Sequence, residues 1–300
     1  MSMSHKNFEI VNFEEFVAQY MDTNTEPFVF QRSAIQLYPL SVATSLIKPP
    51  TPLFRAEYNF ILLFRDGGGK QQVDNEILEL RPNDVLFIRE GHLNAVKYID
   101  PRTDGYYIYM DSTLLPQIFI DNALLHRFTF YPKHSVSTAV MEWLCKGCEM
   151  IAQQKTDNLY FKEIQCALLK AIVLKLAEAS ADTLSKPDRQ SEITMLFKEL
   201  LYNNFIKNRE VKFYAEALAV SENYLNRCVN QITDKPPKQH INELVIAHSK
   251  VLLQDRAKDI AQIAFALNFS DPSYFGRLFK QLTNQTPTEY RSSFRQDLSG

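Results

Sequence analysis

Asp259-Ile260-Ala261-Gln262-Ile263-Ala264-Phe265-Ala266-Leu267-Asn268-Phe269-Ser270-Asp271-Pro272-Ser273-Tyr274-Phe275-Gly276-Arg277-Leu278-Phe279-Lys280 reads as two helices meeting at a short turn. The first is built of small and apolar residues and ends near Leu267. Asp271 is an N-cap, and Pro272 presets the φ angle of a first helical turn, so a second helix runs from there to about Leu282. Tyr274 and Phe275 are expected to face inward. Ser273, Gly276 and Arg277 then face out.

The same design stands earlier in Ala217-Leu218-Ala219-Val220-Ser221-Glu222-Asn223-Tyr224-Leu225-Asn226-Arg227. Ser221 caps a helix to about Ile232, preceded by a short helix Phe213–Leu218 and by Glu192–Ile206 with Ile193, Leu196, Phe197, Leu200 and Leu201 on one face. Pro236-Pro237 opens a long helix to about Leu253 that joins the two units, and Pro287 starts a last helix ending near Arg295. Two helices meeting steeply through a tight turn project the second for insertion into a major groove.

Residue type then suggests how such helices would read. Asparagine pairs with adenine and arginine forks onto guanine, so Asn223, Asn226 and Arg227 can reach base edges, with Ser273, Gly276 and Arg277 at the matching positions. Asn230, Gln231 and Lys280, one turn further on, would touch phosphates. The alternative is that Arg227 and Arg277 make salt bridges on a solvated face. Because Gly276 brings no side chain to a base, the second unit is expected to discriminate less.

Up to about residue 112 the pattern differs: short runs rich in Val, Ile, Phe and Tyr are broken by turn residues. Phe28–Phe30, Val42–Ile47, Tyr58–Arg65, Ile77–Leu80, Val85–Ile88, Ala95–Ile99 and Tyr106–Met110 read as strands of an antiparallel barrel or sandwich. Asp66-Gly67-Gly68-Gly69 between two of them suits a tight hairpin; as a phosphate loop it fails, since Lys70 is followed by Gln71 and the flanks are strands. Beyond a transitional stretch, Val136–Gln154 and Leu159–Ala179 repeat apolar residues at three and four, the second as Phe161, Ile164, Leu168, Ile172 and Leu176. That broad stripe fits packing on the barrel, and it fits equally a dimer interface between two copies. Ser180 to Ser191 is polar, contains Pro187 and reads as a linker. The fold class is therefore α+β, with domains at 1–180 (barrel about 8–112, helices about 136–180) and 191–300 (all-α), joined by 181–190.

Bulk numbers exclude more than they specify. The 300 residues carry a formal net charge of −2, split as 15 Lys and Arg against 13 Asp and Glu over residues 188–300, and 18 against 22 before them. This mild asymmetry permits a basic surface on the second half without requiring one. No run approaches the apolar length of a membrane span, and Met1 to Ile10 has no signal-peptide core, so a cytoplasmic location and no membrane partner are expected. Cys145, Cys148, Cys166 and Cys228 are too few for a disulfide framework; Cys145 and Cys148, one turn apart with no second pair, read as core thiols. His126 and His134 read as ordinary residues of the transitional stretch.

From Glu192 to Arg295 the chain resembles the AraC/XylS-type bacterial transcriptional activators. The most specific part runs from Asp259 to Lys280 as quoted and continues in Thr286-Pro287-Thr288-Glu289-Tyr290-Arg291. Departures are Asp234 and Asn284 where the family has glycine after each recognition helix, both tolerant of left-handed backbone, and His240 and Val245 where it has tyrosine and arginine. The first half resembles, more loosely, the cupin-type sensor domain many of these regulators carry, mainly over Leu80-Arg81-Pro82-Asn83-Asp84-Val85-Leu86-Phe87-Ile88-Arg89-Glu90-Gly91-His92. A metal-binding cupin needs a His-x-His pair, a carboxylate and a later histidine. Glu57 to Arg65 contains no histidine, and Asn94 or His92 holds the last position, so no metal, cofactor or catalytic residue is expected.

The resemblance implies a DNA-binding activator rather than an enzyme, with double-stranded DNA, RNA polymerase, a small-molecule effector and a second copy of the chain as partners. Polar contacts to an effector in the barrel are assigned to Arg55, Tyr58, His92 and Tyr107. The alternative is a ligand-independent regulator whose N-terminal domain serves protein interaction or dimerisation.

Overall fold

A computed structural model describes residues 10–22, 33–155, 157–180, 189–255 and 257–297; the strand expected at Phe28–Phe30 and residues 181–188 of the expected linker lie outside them. The chain divides into two compact units, one over residues 11–186 and one from residue 187 onward.

The first unit runs β1 (Ile10–Val11), α1 (Phe13–Tyr20), β2 (Ile35–Pro39), α2 (Leu40–Leu46), β3 (Phe54–Ala56), β4 (Asn59–Asp66), β5 (Gly69–Val73), β6 (Glu76–Leu80), β7 (Asp84–Ile88), β8 (Leu93–Ile99) and β9 (Asp104–Met110). Then follow α3 (Leu115–Ile118), α4 (Asn122–Phe130), β10 (Lys133–Ser135), α5 (Thr138–Ala152) and α6 (Phe161–Ala179). The strands form two five-stranded sheets, ordered β1-β3-β8-β5-β6 and β10-β7-β4-β9-β2. Strand β4 is central to the second, antiparallel to β7 and β9 with Leu62 opposite both Leu86 and Tyr107.

The run Phe60-Ile61-Leu62-Leu63-Phe64 is apolar throughout because both faces of this sheet are covered. Phe60, Leu62 and Phe64 join Tyr58, Leu86 and Ile88 in a core between the sheets. Ile61 and Leu63 point the other way, with Val85, Phe87 and Ile108, onto α3 to α6, where Leu144, Leu169, Ile172 and Val173 meet them. Side-chain alternation across a strand thus feeds two cores from one segment.

Two expectations about this unit need correction. Val42–Ile47 lies in helix α2 apart from Ile47. A short alternating apolar run does not separate strand from helix, and Pro39, which has no N–H to continue the ladder, ends β2 and lets the chain turn into a helix with Leu40 and Leu46 buried. Asp66–Gly69 is a corner and no hairpin, since β4 and β5 belong to different sheets. Its glycines do supply positive φ, +67° at Gly67 and +140° at Gly68, and a Cβ on Gly68 would lie 2.1 Å from the Leu80 carbonyl oxygen. The actual hairpin joins β5 to β6 through Asp74-Asn75, with Val73 opposite Glu76.

The second unit is helical: α7 (Arg189–Asn204), α8 (Val211–Ala217), α9 (Glu222–Thr233), α10 (Pro237–Leu252), α11 (Ile260–Ala266), α12 (Pro272–Thr283) and α13 (Pro287–Asp297). One apolar core runs through it, from Ile193 and Phe197 of α7 through Leu225 and Val229 of α9 to Phe275 and Phe279 of α12. Helix α10 is the shared member. Between Leu244 and Leu252 every residue except Lys250 is buried, so this helix is enclosed nearly all round.

Candidate nucleic-acid interface

The two helix-turn-helix units, α8–α9 and α11–α12, repeat each other in backbone detail. Each first helix ends on a left-handed residue, Ala219 (φ +53°) or Asn268 (φ +59°). The next residue donates back to the helix, Val220 N to the Ala215 carbonyl at 3.0 Å and Phe269 N to the Ala264 carbonyl at 2.9 Å. This six-to-one bond and its five-to-two companion satisfy carbonyls the helix end leaves open. Ser221 and Asp271 then cap the second helices through the N–H groups of Tyr224 and Ser273. From cap to cap α9 and α12 correspond at an offset of fifty positions. Both close on a left-handed residue, Asp234 (φ +55°) and Asn284 (φ +60°), where glycine would be the unstrained choice.

Along α9 the expected readers share one exposed face at spacings of three and four. Asn223, Arg227, Asn230 and Gln231 are exposed, and the Arg227 guanidinium lies 5.1 Å above the Tyr224 ring. Asn226 is half-buried and donates to the Glu222 carbonyl at 2.9 Å, so its side chain is turned back on its own helix. On α12, Ser273, Arg277 and Lys280 are exposed. The Arg277 guanidinium stands 3.8 Å from Asp271, an open surface ion pair that costs little to exchange for another anion. A Cβ built on Gly276 meets nothing within 4 Å, so its lack of a side chain answers no packing need. Leu225 and Phe275 are buried as expected. Tyr274 is not inward: it is 45% exposed, because it sits on the first turn of α12, where the bulk of Phe269 and Phe275 already fills the interior.

Charges near the helix starts follow their hydrogen bonds. The backbone N–H of Ser273 holds the Asp271 carboxyl below its ordinary range, and that of Thr286 does the same for Glu289. His240, with its Nε2 2.8 Å from the Thr233 hydroxyl, is lowered to about 4 by burial and by nearby Lys198. It packs against Phe197, and Val245 is wholly buried, so neither takes an exposed role.

In the N-terminal unit a cavity opens between the two sheets, with about 590 Å³ of empty space that includes some open solvent. Tyr58 and Tyr107 line it; Arg55 and His92 do not. Arg55 donates to the Gly91 carbonyl at 3.0 Å, and the His92 imidazole is 2.9 Å from the Asp74 carboxylate. The sequence does not place Gln71 of β5, Asn94 of β8 or Thr103, just before β9, in the wall, since a polar residue on a short strand or at its edge carries no sign of facing inward. Among the described residues no group of three or more His, Cys, Asp or Glu is placed to hold a metal ion. Cys145 and Cys148 are buried free thiols, both raised by burial.

Residues 214–293 match the model of a helix-turn-helix domain family. The HTH-type transcriptional activator RhaR of Mannheimia succiniciproducens is 25% identical over 263 residues, 85% of this chain and 92% of that protein. RhaS of Escherichia coli, an HTH-type transcriptional activator, is 21% identical over 86% of this chain and 95% of its own length. A structure of ToxT from Vibrio cholerae aligns over 86% of this chain and 97% of that one at 14% identity, with a TM-score of 0.41. Residues 214–293 are an AraC-type helix-turn-helix domain.

The segment just before this domain is clamped onto its second helix-turn-helix motif in a way that the sequence did not announce. The Arg209 guanidinium lies 3.9 Å over the Phe269 ring and donates to the Asn268 carbonyl at 2.6 Å. Asn268 in turn donates to the Lys207 carbonyl at 3.2 Å. The segment after α7 is thereby fastened to the turn of the second unit, sixty residues on. No helix of the described residues is long and apolar enough to cross a membrane.

Proposed function

We propose that the chain is a sequence-specific DNA-binding transcriptional activator controlled by a small molecule bound in its N-terminal unit. The observation that carries this reading is the duplicated motif: two helices of equal length and register, each showing a polar face with an arginine at the same position, fixed on one buried helix. Tandem readers on one rigid axis suit successive major-groove segments on one side of a duplex, about 34 Å or one helical turn apart. The relatives' names as transcriptional activators support the direction of control, and the interior cavity supports an effector. We assign residues 1–180 to sensing, 181–190 to the linker and 191–300 to DNA. RNA polymerase and a second copy of the chain complete the set of partners, in the cytoplasm.

Selection of the full chain against a randomised duplex pool tests this. Two short conserved blocks separated by about one helical turn are expected. Recovery of unenriched sequence at low salt would remove the reading.

A further inference from the structure

The wall of the interior cavity is almost wholly carbon, with Phe16, Phe60, Leu62, Phe64, Leu80 and Val96 among its members. Of the described lining residues one is charged, Lys70, and its half-exposed ammonium sits 3.2 Å from Glu79. Nothing inside offsets a charged guest, and an ion entering such surroundings loses hydration that only a partner charge can replace. Burial pushes the Tyr58 and Tyr107 phenols far above their ordinary range, so they stay neutral as well.

Besides the Tyr58 and Tyr107 hydroxyls and Thr103, which is bonded to Gly68, one pair of carboxamides interrupts this wall. Gln71 on β5 and Asn94 on β8 are 5% and 3% exposed, and their carboxamides are hydrogen-bonded to each other. Each carboxamide has one carbonyl and one NH2 group, and a single shared bond leaves one carbonyl and one NH2 over. That remainder is the same whichever way the two amides are turned. Among the described residues neither leftover group has a further partner, and a polar group in such surroundings is costly to leave unbonded unless something enters to bond it.

We propose that the cavity binds an uncharged molecule with an apolar aromatic or aliphatic body and a single carboxamide-type head, which donates to the free carbonyl and accepts from the free NH2 of the Gln71–Asn94 pair. The proposal rests on the reading of the N-terminal unit as an effector domain and narrows it. Carboxylates are excluded for want of a buried cation, and sugars because a wall with so few polar groups leaves most of their hydroxyls unbonded.

The test uses the full chain with benzamide, benzoate, glucose and toluene as probes, followed by calorimetry and by melting temperature. A ligand that binds only the folded state raises the melting temperature. Benzamide is expected to bind at least tenfold more tightly than benzoate or glucose. Asn94→Leu and, as the milder change, Gln71→Met are expected to weaken benzamide at least tenfold while leaving toluene unchanged. Benzoate or glucose binding as well as benzamide overturns the ligand class and leaves the effector reading standing. Benzamide binding that neither variant weakens overturns the role of the pair. Silence from all four probes, toluene included, overturns both the class and this cavity as an effector site.

Discussion

Arg227 and Lys280 occupy matched helices and are expected to act differently. A bidentate base contact is worth about 1–3 kcal/mol of discrimination, whereas a phosphate contact weakens all sequences alike. Arg227→Ala should relax preference at one base position of the selected site; Lys280→Ala should lower affinity uniformly and flatten its salt dependence. If Arg227→Ala leaves the site unchanged while Arg277→Ala randomises one block, the ranking of the two readers is reversed. Gly276 offers a separate check. With nothing within 4 Å of an added Cβ, Gly276→Ala should stabilise the domain by about 0.5–1 kcal/mol through the helix term alone. A destabilised variant would mean that α12 is covered in the free protein.

His134 provides a pH-dependent term. It is 6% exposed against the Phe128 ring, and burial lowers it from 6.5 to about 4. The folded state therefore keeps it neutral while the unfolded chain takes up a proton below pH 6.5. Stability from this group is complete above that value and falls as the pH drops toward 4, by about 2 kcal/mol at pH 5. Urea unfolding of the N-terminal unit at pH 7.5 and pH 5 should show that loss, and His134→Leu should reduce it by a similar amount. An equal pH slope in both proteins would dismiss the assignment. His240 acts in the same direction in the other unit.

Helix α6 shows where periodicity informs and where it stops. Its apolar stripe fitted packing on the barrel and a dimer interface equally, and the structure puts Leu169, Ile172, Val173 and Leu176 in the core, while Ile164 and, outside that stripe, Leu174 remain 39% and 37% exposed. With Ala167 and Ala171 between them, these form a seam at intervals of three and four that suits an antiparallel copy of itself. In that pairing Ile164 meets Leu174, Ala167 meets Ala171, and Glu163 meets Lys175, each contact made twice. Replacing Ile164 and Leu174 with glutamate should give a folded monomer. Ile172→Glu should instead unfold the unit, because Ile172 Cγ1 lies 2.9 Å from where a Cβ on Gly147 would stand. A dimer that survives the double change would place the interface elsewhere.

The helices of the second unit were legible almost to the residue because caps, prolines and left-handed stops mark their ends chemically. Strand β5, with its Gly-Lys-Gln-Gln-Val, was invisible for the opposite reason: nothing local distinguishes a polar residue that faces a cavity from one that faces water. The Arg209 clamp was equally hidden, since its partners lie about sixty positions away. Of the four expected effector positions, Tyr107 reaches the cavity from a strand position of β9 and Tyr58 from the bend between β3 and β4. Arg55 and His92 were chosen by chemical type alone, and type does not fix facing.

At the scale of the whole molecule, the second unit carries its own continuous core, from Ile193 to Phe279, organised on the enclosed helix α10. Such a unit has what folding requires without help from residues 11–186. A fragment beginning near Ser185 should therefore fold as a helical domain and retain the same duplex consensus as the full chain. Its affinity should fall steeply with salt, on the order of 10³–10⁵-fold between 50 and 200 mM if six to ten phosphates are engaged. It should bind a single site more weakly than the intact chain if α6 pairs two copies, because tethering turns the second binding event into an intramolecular one. Circular dichroism and a gel-shift salt series on the fragment decide the matter. A helical fragment that retains no duplex at low salt would mean that the DNA-reading surface includes the N-terminal unit, and the division of labour between the two units would be wrong.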